Sequence, residues 1–128
     1  MPVVSPASGL FAVERMNVQI FGVKKSAETR AALRFFAERR VKTHFVDLNE
    51  RAASPRELER FIQKFGLDAI IDRDGKRFKE LGLAHSHLSP QRWIEKLADD
   101  PLLLRMPLVR YENKLTIGDA QAEWKTWK

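Results

Sequence analysis

The feature that most constrains the fold is a helical pattern that lies between two strand patterns early in the chain. Asn17–Phe21 alternates polar and apolar residues, which predicts a first strand, and Thr43–Leu48 predicts a second. Ser26 is a suitable N-cap for the helix between them, and the apolar residues of 32–37 indicate that this helix continues to about Arg40. Two strands joined by a crossover helix are parallel, and the crossover is right-handed. The pattern therefore predicts a βαβ unit.

The clearest helix start in the sequence follows the second strand. Ser54 precedes Pro55 and Glu57, so the stretch has a Ser N-cap, a Pro at the first helical position and a Glu at the third. Apolar residues then recur with the spacing of one helical face, at Leu58, Phe61, Ile62 and Phe65. Gly66 is suited to end the helix. The pattern predicts a helix over residues 54–65.

Helix and turn signals dominate the middle of the chain, residues 67–100. Asp72–Gly75 has the composition of a turn, and Lys76–Leu81 can form a short helix. Ser89 and Pro90 start another helix, whose buried side is expected to carry Trp93, Ile94 and Leu97. We therefore predict an all-helical insert over about 67–100.

The remaining elements complete a recognisable arrangement. Pro107–Arg110 and Lys114–Ile117 predict two short strands around a turn at Tyr111–Asn113, and Ala120–Trp127 predicts a terminal helix. A hairpin added to a βαβ unit gives a four-stranded mixed sheet with helices on its faces. The predicted fold class is therefore α/β, a thioredoxin-like sheet flanked by helices and carrying an all-helical insert.

Length and composition are those of one globular domain, since the chain has 128 residues. Residues 1–15 show no sustained period, so we interpret them as a flexible N-terminal extension or an upstream start and place the domain at 16–128. No apolar run has the length of a membrane helix and no secretory signal pattern is visible, which favours a cytoplasmic protein. The net charge of +6 permits an acidic partner, although solvated helix faces also explain it.

The complete lack of cysteine is the most informative count in the composition. It excludes disulfides, thiolate nucleophiles and thiolate metal ligands. His85 and His87 could suggest a metal site, but no cluster of further ligands completes the three or four that zinc needs. We expect neither a metal nor a cofactor.

Four segments carry a family resemblance, and they are Ile20–Arg30, Phe78–Leu83, Leu103–Val109 and Lys114–Gly118. In order and spacing they resemble the arsenate reductase (ArsC)/Spx family, over about residues 16–128. The resemblance implies that family members which reduce arsenate use a cysteine at the start of the first helix, and the position matching it here is Ser26. A helix N-terminus stabilises a thiolate there, whereas a serine hydroxyl stays protonated and needs an adjacent base to become a nucleophile. An N-cap role already accounts for Ser26.

A second departure from the family concerns its arginines. The resemblance implies an Arg directly before the Pro of the third strand that helps to hold an oxyanion, but Met106 stands there and Arg105 lies one residue earlier. The family's Arg of the insert has no clean match either, since Asp72-Arg73-Asp74 occupies that stretch. The resemblance also implies that Pro107 is cis and presses Met106 against the Ser26 loop. We therefore expect a dismantled reductase site in which Ser26 and Arg30 are vestigial.

Anion binding is the chemistry that could remain at this place. Lys24 and Lys25 stand beside the free N–H groups of a helix start, which favour anions. Arg30, Arg105 and Lys114 are further candidates, and plain surface charge is the alternative for all of these residues. Arg39, Arg40 and Lys42 form a basic cluster at a helix end, where they complement the helix dipole, so direct nucleic-acid binding is not expected.

Three functions stay open on this reasoning. The first is a binding or regulatory module without catalysis, for which the Spx branch of the family implies RNA polymerase as the protein partner. The second is an arsenate reductase-like oxidoreductase that uses an external thiol such as glutathione, with a small oxyanion held at the Ser26 loop. The third is a purely structural role in a larger assembly.

Overall fold

Four strands and six α-helices make up the part of the chain that the computed structural model describes, residues 17–127. The strands are β1 (Asn17–Gly22), β2 (Lys42–Asp47), β3 (Leu108–Tyr111) and β4 (Lys114–Ile117). The helices are α1 (Ala27–Glu38), α2 (Pro55–Phe65), α3 (Leu67–Ile70), α4 (Lys76–Glu80), α5 (Pro90–Asp99) and α6 (Gln121–Trp124). Two 3₁₀ turns, Leu83–His85 and Pro101–Leu103, lie before and after α5. The expected N-terminal extension, residues 1–15, lies outside the described residues.

The strands form one mixed sheet in the order β2-β1-β3-β4. β1 and β2 are parallel, with Asn17 opposite Lys42 and Gly22 opposite Asp47, and α1 is the crossover between them. β3 is antiparallel to both β1 and β4. The sequence prediction of a four-stranded mixed sheet flanked by helices is confirmed. Within the described residues, β2 and β4 each pair on one side only.

The capping signals of α2 act as the sequence predicts. Ser54 Oγ accepts a hydrogen bond from Glu57 N at 3.1 Å, and the Glu57 carboxylate accepts one from Ser54 N at 2.9 Å. At the other end Gly66 adopts φ +90°, a conformation that glycine reaches without the steric cost of a Cβ. Local chemistry alone therefore determines both ends of this helix.

The core lies on both faces of the sheet, because successive side chains of a strand point to opposite faces. On one face α1, α6 and the turn after α6 cover buried residues that include Val18, Ile20, Phe35, Phe36, Val109, Trp124 and Trp127. On the other face α2 and the helices of residues 67–100 cover Phe21, Val46, Leu58, Phe61, Ile70, Leu97 and Leu108. Each such side chain contributes about 1.5–3 kcal/mol when it is fully buried.

Trp124 joins the end of the chain to the sheet. Its Nε1 donates a hydrogen bond to Thr116 Oγ1 at 2.8 Å, and both residues are buried. The indole packs beside Phe36, with ring centroids 5.2 Å apart, and Trp127 stacks on the same ring at 6.2 Å. Both terminal tryptophans are therefore core residues on one face of the sheet.

Several predicted boundaries were wrong by one to three residues. The terminal helix is the short α6 rather than Ala120–Trp127, and Trp127 is placed by a turn that follows it. Tyr111 belongs to β3, so the hairpin turn is shorter than predicted. α1 ends before Arg40, whose φ of +60° is incompatible with continuing a right-handed helix.

Residues 67–100 form helices and turns with one exception. Ile71 forms an isolated antiparallel bridge with Leu104, so the segment has a short extended contact as well as its helices. Trp93 and Leu97 of α5 are buried as predicted, whereas Ile94 is only partly covered. No helix in the described range 17–127 has both the length and the apolarity to cross a membrane.

Candidate functional site

The loop from β1 to α1 is tightly packed and leads directly to Ser26. Gly22 ends β1, and a Cβ at this position would collide with the side chain of Thr29 in the first turn of α1. Thr29 is fully buried, so it cannot move away into solvent. The loop then turns through a hydrogen bond from Ser26 N to Val23 O at 3.0 Å. Only a residue without a side chain lets the end of β1 approach the helix this closely.

Ser26 uses its hydroxyl as a helix cap. Its Oγ accepts a hydrogen bond from Thr29 N at 3.2 Å, and its backbone is extended, as an N-cap requires. The cap satisfies one of the N–H groups that the start of a helix leaves without a partner. No histidine is among the described residues that line the space in front of Ser26, so an imidazole base for this hydroxyl is lacking there.

An open cleft of about 610 Å³ lies in front of Ser26. Three segments line it: the loop with the first turn of α1, the turn before α4, and the residues ahead of Pro107. Leu102, Leu104 and Met106 supply its apolar wall. The cleft is therefore a place where the insert, the first helix and the approach to β3 come together.

The charged side chains of this cleft are balanced in sign. Three are cations and three are carboxylates, and they are Lys25, Lys76, Arg105, Glu28, Asp72 and Asp74. Within the described residues none of the six forms a salt bridge with another. The carboxylates offset the attraction that the cations exert on an anion, so the nearest side chains supply no net positive charge.

A short stretch of backbone pairing brings the insert to the cleft. Beside the Ile71–Leu104 bridge, Asp72 N donates to Leu103 O at 2.9 Å and Arg105 N donates to Ile70 O at 2.8 Å. These bonds join two segments more than thirty residues apart in the chain. They place the Asp72 turn and Arg105 side by side at the cleft.

Arg73, the arginine of the insert turn, is engaged elsewhere. Its Nη2 lies 2.6 Å from Asp68 Oδ1, and its guanidinium lies 5.6 Å from the centroid of Phe78 and 5.8 Å from that of Trp93. The two rings are nearly parallel, with centroids 6.4 Å apart, and Arg73 lies over both of them. Arg73 is not among the residues that line the cleft.

The structure brings together only part of the predicted anion site. Lys25, Ser26 and Arg105 line the same cleft. Lys24 lines a separate depression of about 270 Å³, and its carbonyl accepts a hydrogen bond from Arg30 Nη1 at 2.8 Å. Arg30 therefore stabilises the loop from the outside and is not part of the cleft lining.

Lys114 lies far from this loop, at the opposite end of the sheet. The register of the hairpin pairs Lys114 with Tyr111, whereas Ile117 pairs with Leu108. Leu108 in turn pairs with Phe21, next to the loop, so the strand runs away from Ser26 toward Lys114. Lys114 Nζ lies over the Tyr111 ring, 5.5 Å from its centroid. The expectation that Lys114 approaches the Ser26 loop is therefore not met.

Met106 and Pro107 lie where the resemblance implies. The peptide bond between them is cis, Pro107 is buried, and Met106 shares the cleft with Ser26. Pro107 O accepts a hydrogen bond from Gly118 N at 2.8 Å, which ties this segment to the end of β4.

Sequence reasoning did not find the acidic half of the cleft. Glu28 lies in the first turn of α1, where the helix dipole already explains a carboxylate. Asp72 and Asp74 were recognised only as turn residues, and nothing in a local pattern indicates that this turn faces Ser26. His85 and His87 are exposed, and no group of three or more possible metal ligands exists among residues 17–127.

Comparison with known proteins gives a consistent result. The model of the ArsC family matches residues 21–127. An arsenate reductase of Neisseria meningitidis is 28% identical over 105 residues, which cover 80% of this chain and 90% of that protein. The global transcriptional regulator Spx 2 of Oceanobacillus iheyensis is 29% identical over 105 residues, which cover 80% of this chain and 77% of the regulator. The structure of an arsenate reductase from Vibrio cholerae has the same fold, with a TM-score of 0.73 at 24% identity, over 84% of this chain and 94% of that one.

Proposed function

This chain belongs to the ArsC family, and we propose that it is a binding or regulatory module without thiol-dependent catalysis. The observation that carries the proposal is the lack of cysteine anywhere in the sequence. A redox cycle on a protein thiol forms and breaks a bond at sulfur, and no side chain here can take that part. The module would keep the fold and use it for binding.

The geometry around Ser26 supports this proposal. The family resemblance matches Ser26 to the cysteine of the reductases, and its hydroxyl is the acceptor of a helix cap. The balanced charge of the cleft also opposes capture of a small oxyanion, because Glu28, Asp72 and Asp74 stand beside its three cations. Both features support a binding role for this chain and oppose turnover at Ser26.

The proposed partner is a protein, and RNA polymerase is the specific candidate. A relative that is 29% identical is named a global transcriptional regulator, which is the support for a regulatory role. An excess of positive charge suits an acidic protein surface, since complementary potentials speed association and select partners. We place this interaction in the cytoplasm as part of the same proposal.

A reductase that works with an external thiol is the second candidate. Lys25, Ser26 and Arg105 do line one cleft, which is the observation in its favour. In this case two glutathione thiols would supply the two electrons that reduce arsenate to arsenite and would leave as glutathione disulfide, with one arsenate oxygen lost as water, while the chain would only hold the oxyanion.

Two assays on the full chain separate the candidates. The first follows glutathione-dependent reduction of arsenate by the wild type, and we expect no rate above the reaction without protein. Ser26→Cys and Ser89→Cys, which change two serine caps of the same geometry, test whether the loop keeps any thiol-activating property. We expect both helix starts to lower the pKa of the new thiol, and alkylation rates measured against pH report it.

The second assay measures binding of the wild type to purified RNA polymerase from the same organism at low and moderate salt. Salt-sensitive binding with no arsenate reduction is the expected result. If the wild type reduces arsenate and both Lys25→Ala and Arg105→Ala lose this activity, the reductase becomes the proposed function instead of the binding module. No binding to the polymerase would remove this partner from the proposal.

A further inference from the structure

The positive charge of this protein is unevenly distributed along the fold. Residues 17–64, which form β1, α1, β2 and all of α2 except its last residue, contain eleven Lys or Arg and six Asp or Glu. Residues 65–127 contain ten of each. The net excess of the described part of the chain therefore comes entirely from its first half, and the insert and the hairpin are neutral in sum.

A basic edge, defined as Arg39, Arg40, Lys42 and His44, leads into β2 and runs along it. All four side chains are exposed. Arg39 lies over the Phe35 ring at 3.9 Å, which leaves its charge facing solvent. Among the described residues none of the four forms a salt bridge, although Glu38 is a neighbour in the chain. Arg39, Arg40 and Lys42 thus present three cations that form no salt bridge within the described fold, while His44 lines a depression together with Asp47 and Glu50.

The side of β2 that faces away from β1 is unpaired within the described residues. Leu48 N donates to Gly22 O at 2.9 Å, and the ladder of a parallel pair uses every second residue of a strand. The main-chain N–H and C=O groups of Thr43 and Phe45 therefore point away from β1. No strand of the described fold pairs with them, because β2 is the first strand in the sheet order. Such an edge can accept one more extended segment.

We propose that the outer side of β2 with its basic edge is a docking surface for an extended, acidic segment of a partner protein. This inference rests on the proposed function, since it names the surface and the partner chemistry of a binding module. The outward groups of Thr43 and Phe45 would supply main-chain hydrogen bonds, and the basic edge would supply charge complementarity.

Charge selects this occupant among the other possibilities. A second copy of the chain carries the same net charge of +6, and its β2 has Lys42 at one end and Asp47 at the other, so it offers this surface no excess of negative charge. The N-terminal residues 1–16 carry one Glu and one Arg, so they offer no negative charge to this surface. Lys42 on this edge also disfavours pairing with an apolar strand, and its charge attracts an acidic segment.

The test uses the full chain and a short synthetic peptide that alternates glutamate and valine, with a lysine–valine peptide as its control. We expect salt-sensitive binding of the glutamate peptide only, measured by calorimetry. Amide hydrogen exchange should show new protection at Thr43 and Phe45, because these are the N–H groups that the added strand would cover. Binding without protection at either amide would overturn the proposal.

Variants then separate charge from backbone pairing. Arg40→Glu combined with Lys42→Glu should weaken the peptide about tenfold, since each change reverses an exposed charge at the edge. Lys79→Glu combined with Lys125→Glu makes the same change in net charge on the neutral half and should have no such effect. Thr43→Pro removes an outward N–H and leaves the β1–β2 ladder intact, so it should abolish binding with little change in the unfolding midpoint.

Further outcomes would overturn the inference. Equal loss in both charge-reversal pairs would show that net charge, and not the basic edge, attracts the peptide. Tighter binding of duplex DNA than of the peptide, lost on Arg40→Glu with Lys42→Glu, would assign the surface to nucleic acid. Self-association abolished by Thr43→Pro would assign it to a second copy. RNA polymerase binding that survives all the edge variants would overturn the docking surface and leave the proposed function standing.

Discussion

The cleft beside Ser26 and the basic edge of β2 lie at opposite ends of β1, and they differ in charge and in packing. The cleft holds equal numbers of cations and carboxylates, whereas the basic edge has four exposed basic residues without a salt bridge in the described fold. The register places Gly22, next to the cleft, opposite Asp47, and Asn17, at the far end of the strand, opposite Lys42. The unbalanced positive charge therefore lies at the basic edge and not at the cleft that the family resemblance indicates.

The cleft and the basic edge also differ in how tightly their residues are packed. The loop at the cleft contains a glycine pressed against a buried threonine and a serine whose hydroxyl is used by the helix. The basic edge consists of exposed side chains, and the outward main-chain groups of Thr43 and Phe45 beside it pair with no strand of the described fold. We expect substitutions at the cleft loop to act on stability, and substitutions at the basic edge to act on binding.

The largest effect is expected from Gly22→Val. The new side chain would meet Thr29, which is buried and cannot withdraw, so we expect a loss of about 1–3 kcal/mol in the free energy of unfolding. Chemical denaturation measures this loss. Thr43→Val on β2 is the matched control and should change stability little. An equal loss at the two positions would contradict the contrast in packing.

Ser26→Ala should cost about 1 kcal/mol of stability, because it removes an N-cap. Ser89→Ala is an internal standard, since Ser89 Oγ accepts from Arg92 N at the same 3.2 Å that separates Ser26 Oγ from Thr29 N. Similar losses in the two variants would agree with a capping role for Ser26. A Ser26 variant that loses no stability would indicate that this hydroxyl is kept for another purpose.

Neutralising the acidic half of the cleft should make it resemble the basic edge. Glu28→Gln combined with Asp74→Asn leaves the three cations in place, so we expect sulfate or arsenate to bind a few-fold more tightly than to the wild type. A thermal shift titration at low salt measures the difference. The same titration with Glu38→Gln, whose carboxylate lies outside the cleft, is the control. Unchanged anion affinity in the double variant would mean that the carboxylates do not oppose binding.

The smallest effect is expected from Lys42→Glu on folding itself. The side chain is exposed and forms no salt bridge with a described residue, so its reversal should change the free energy of unfolding by no more than about 0.5 kcal/mol. Equilibrium denaturation checks this value. A loss as large as that of Gly22→Val would show that the basic edge is part of the folded framework.

Elements with a local chemical signature were predictable from the sequence. The capping box at Ser54, the cap at Ser26 and the alternation of Asn17–Phe21 each depend on residues within a few positions of one another. The extent of the terminal helix was less predictable. Trp124 ends α6 and its backbone N–H donates to Ala120 O, whereas Trp127 lies in the turn that follows and is buried against Phe36. A pattern of apolar spacing does not distinguish a buried tryptophan in a helix from one in the turn that follows the helix.

By itself the sequence determined the order of strands and helices, the parallel βαβ start and the lack of any thiol chemistry, because these depend on composition and on short-range spacing. Only the tertiary structure decided what faces Ser26. The Ile71–Leu104 bridge brings Asp72 to the cleft, and the pairing of Phe21 with Leu108 orients the hairpin so that Lys114 lies at the opposite end of the sheet. Both outcomes depend on pairing between segments far apart in the chain, and such pairing follows from the packing of the whole sheet.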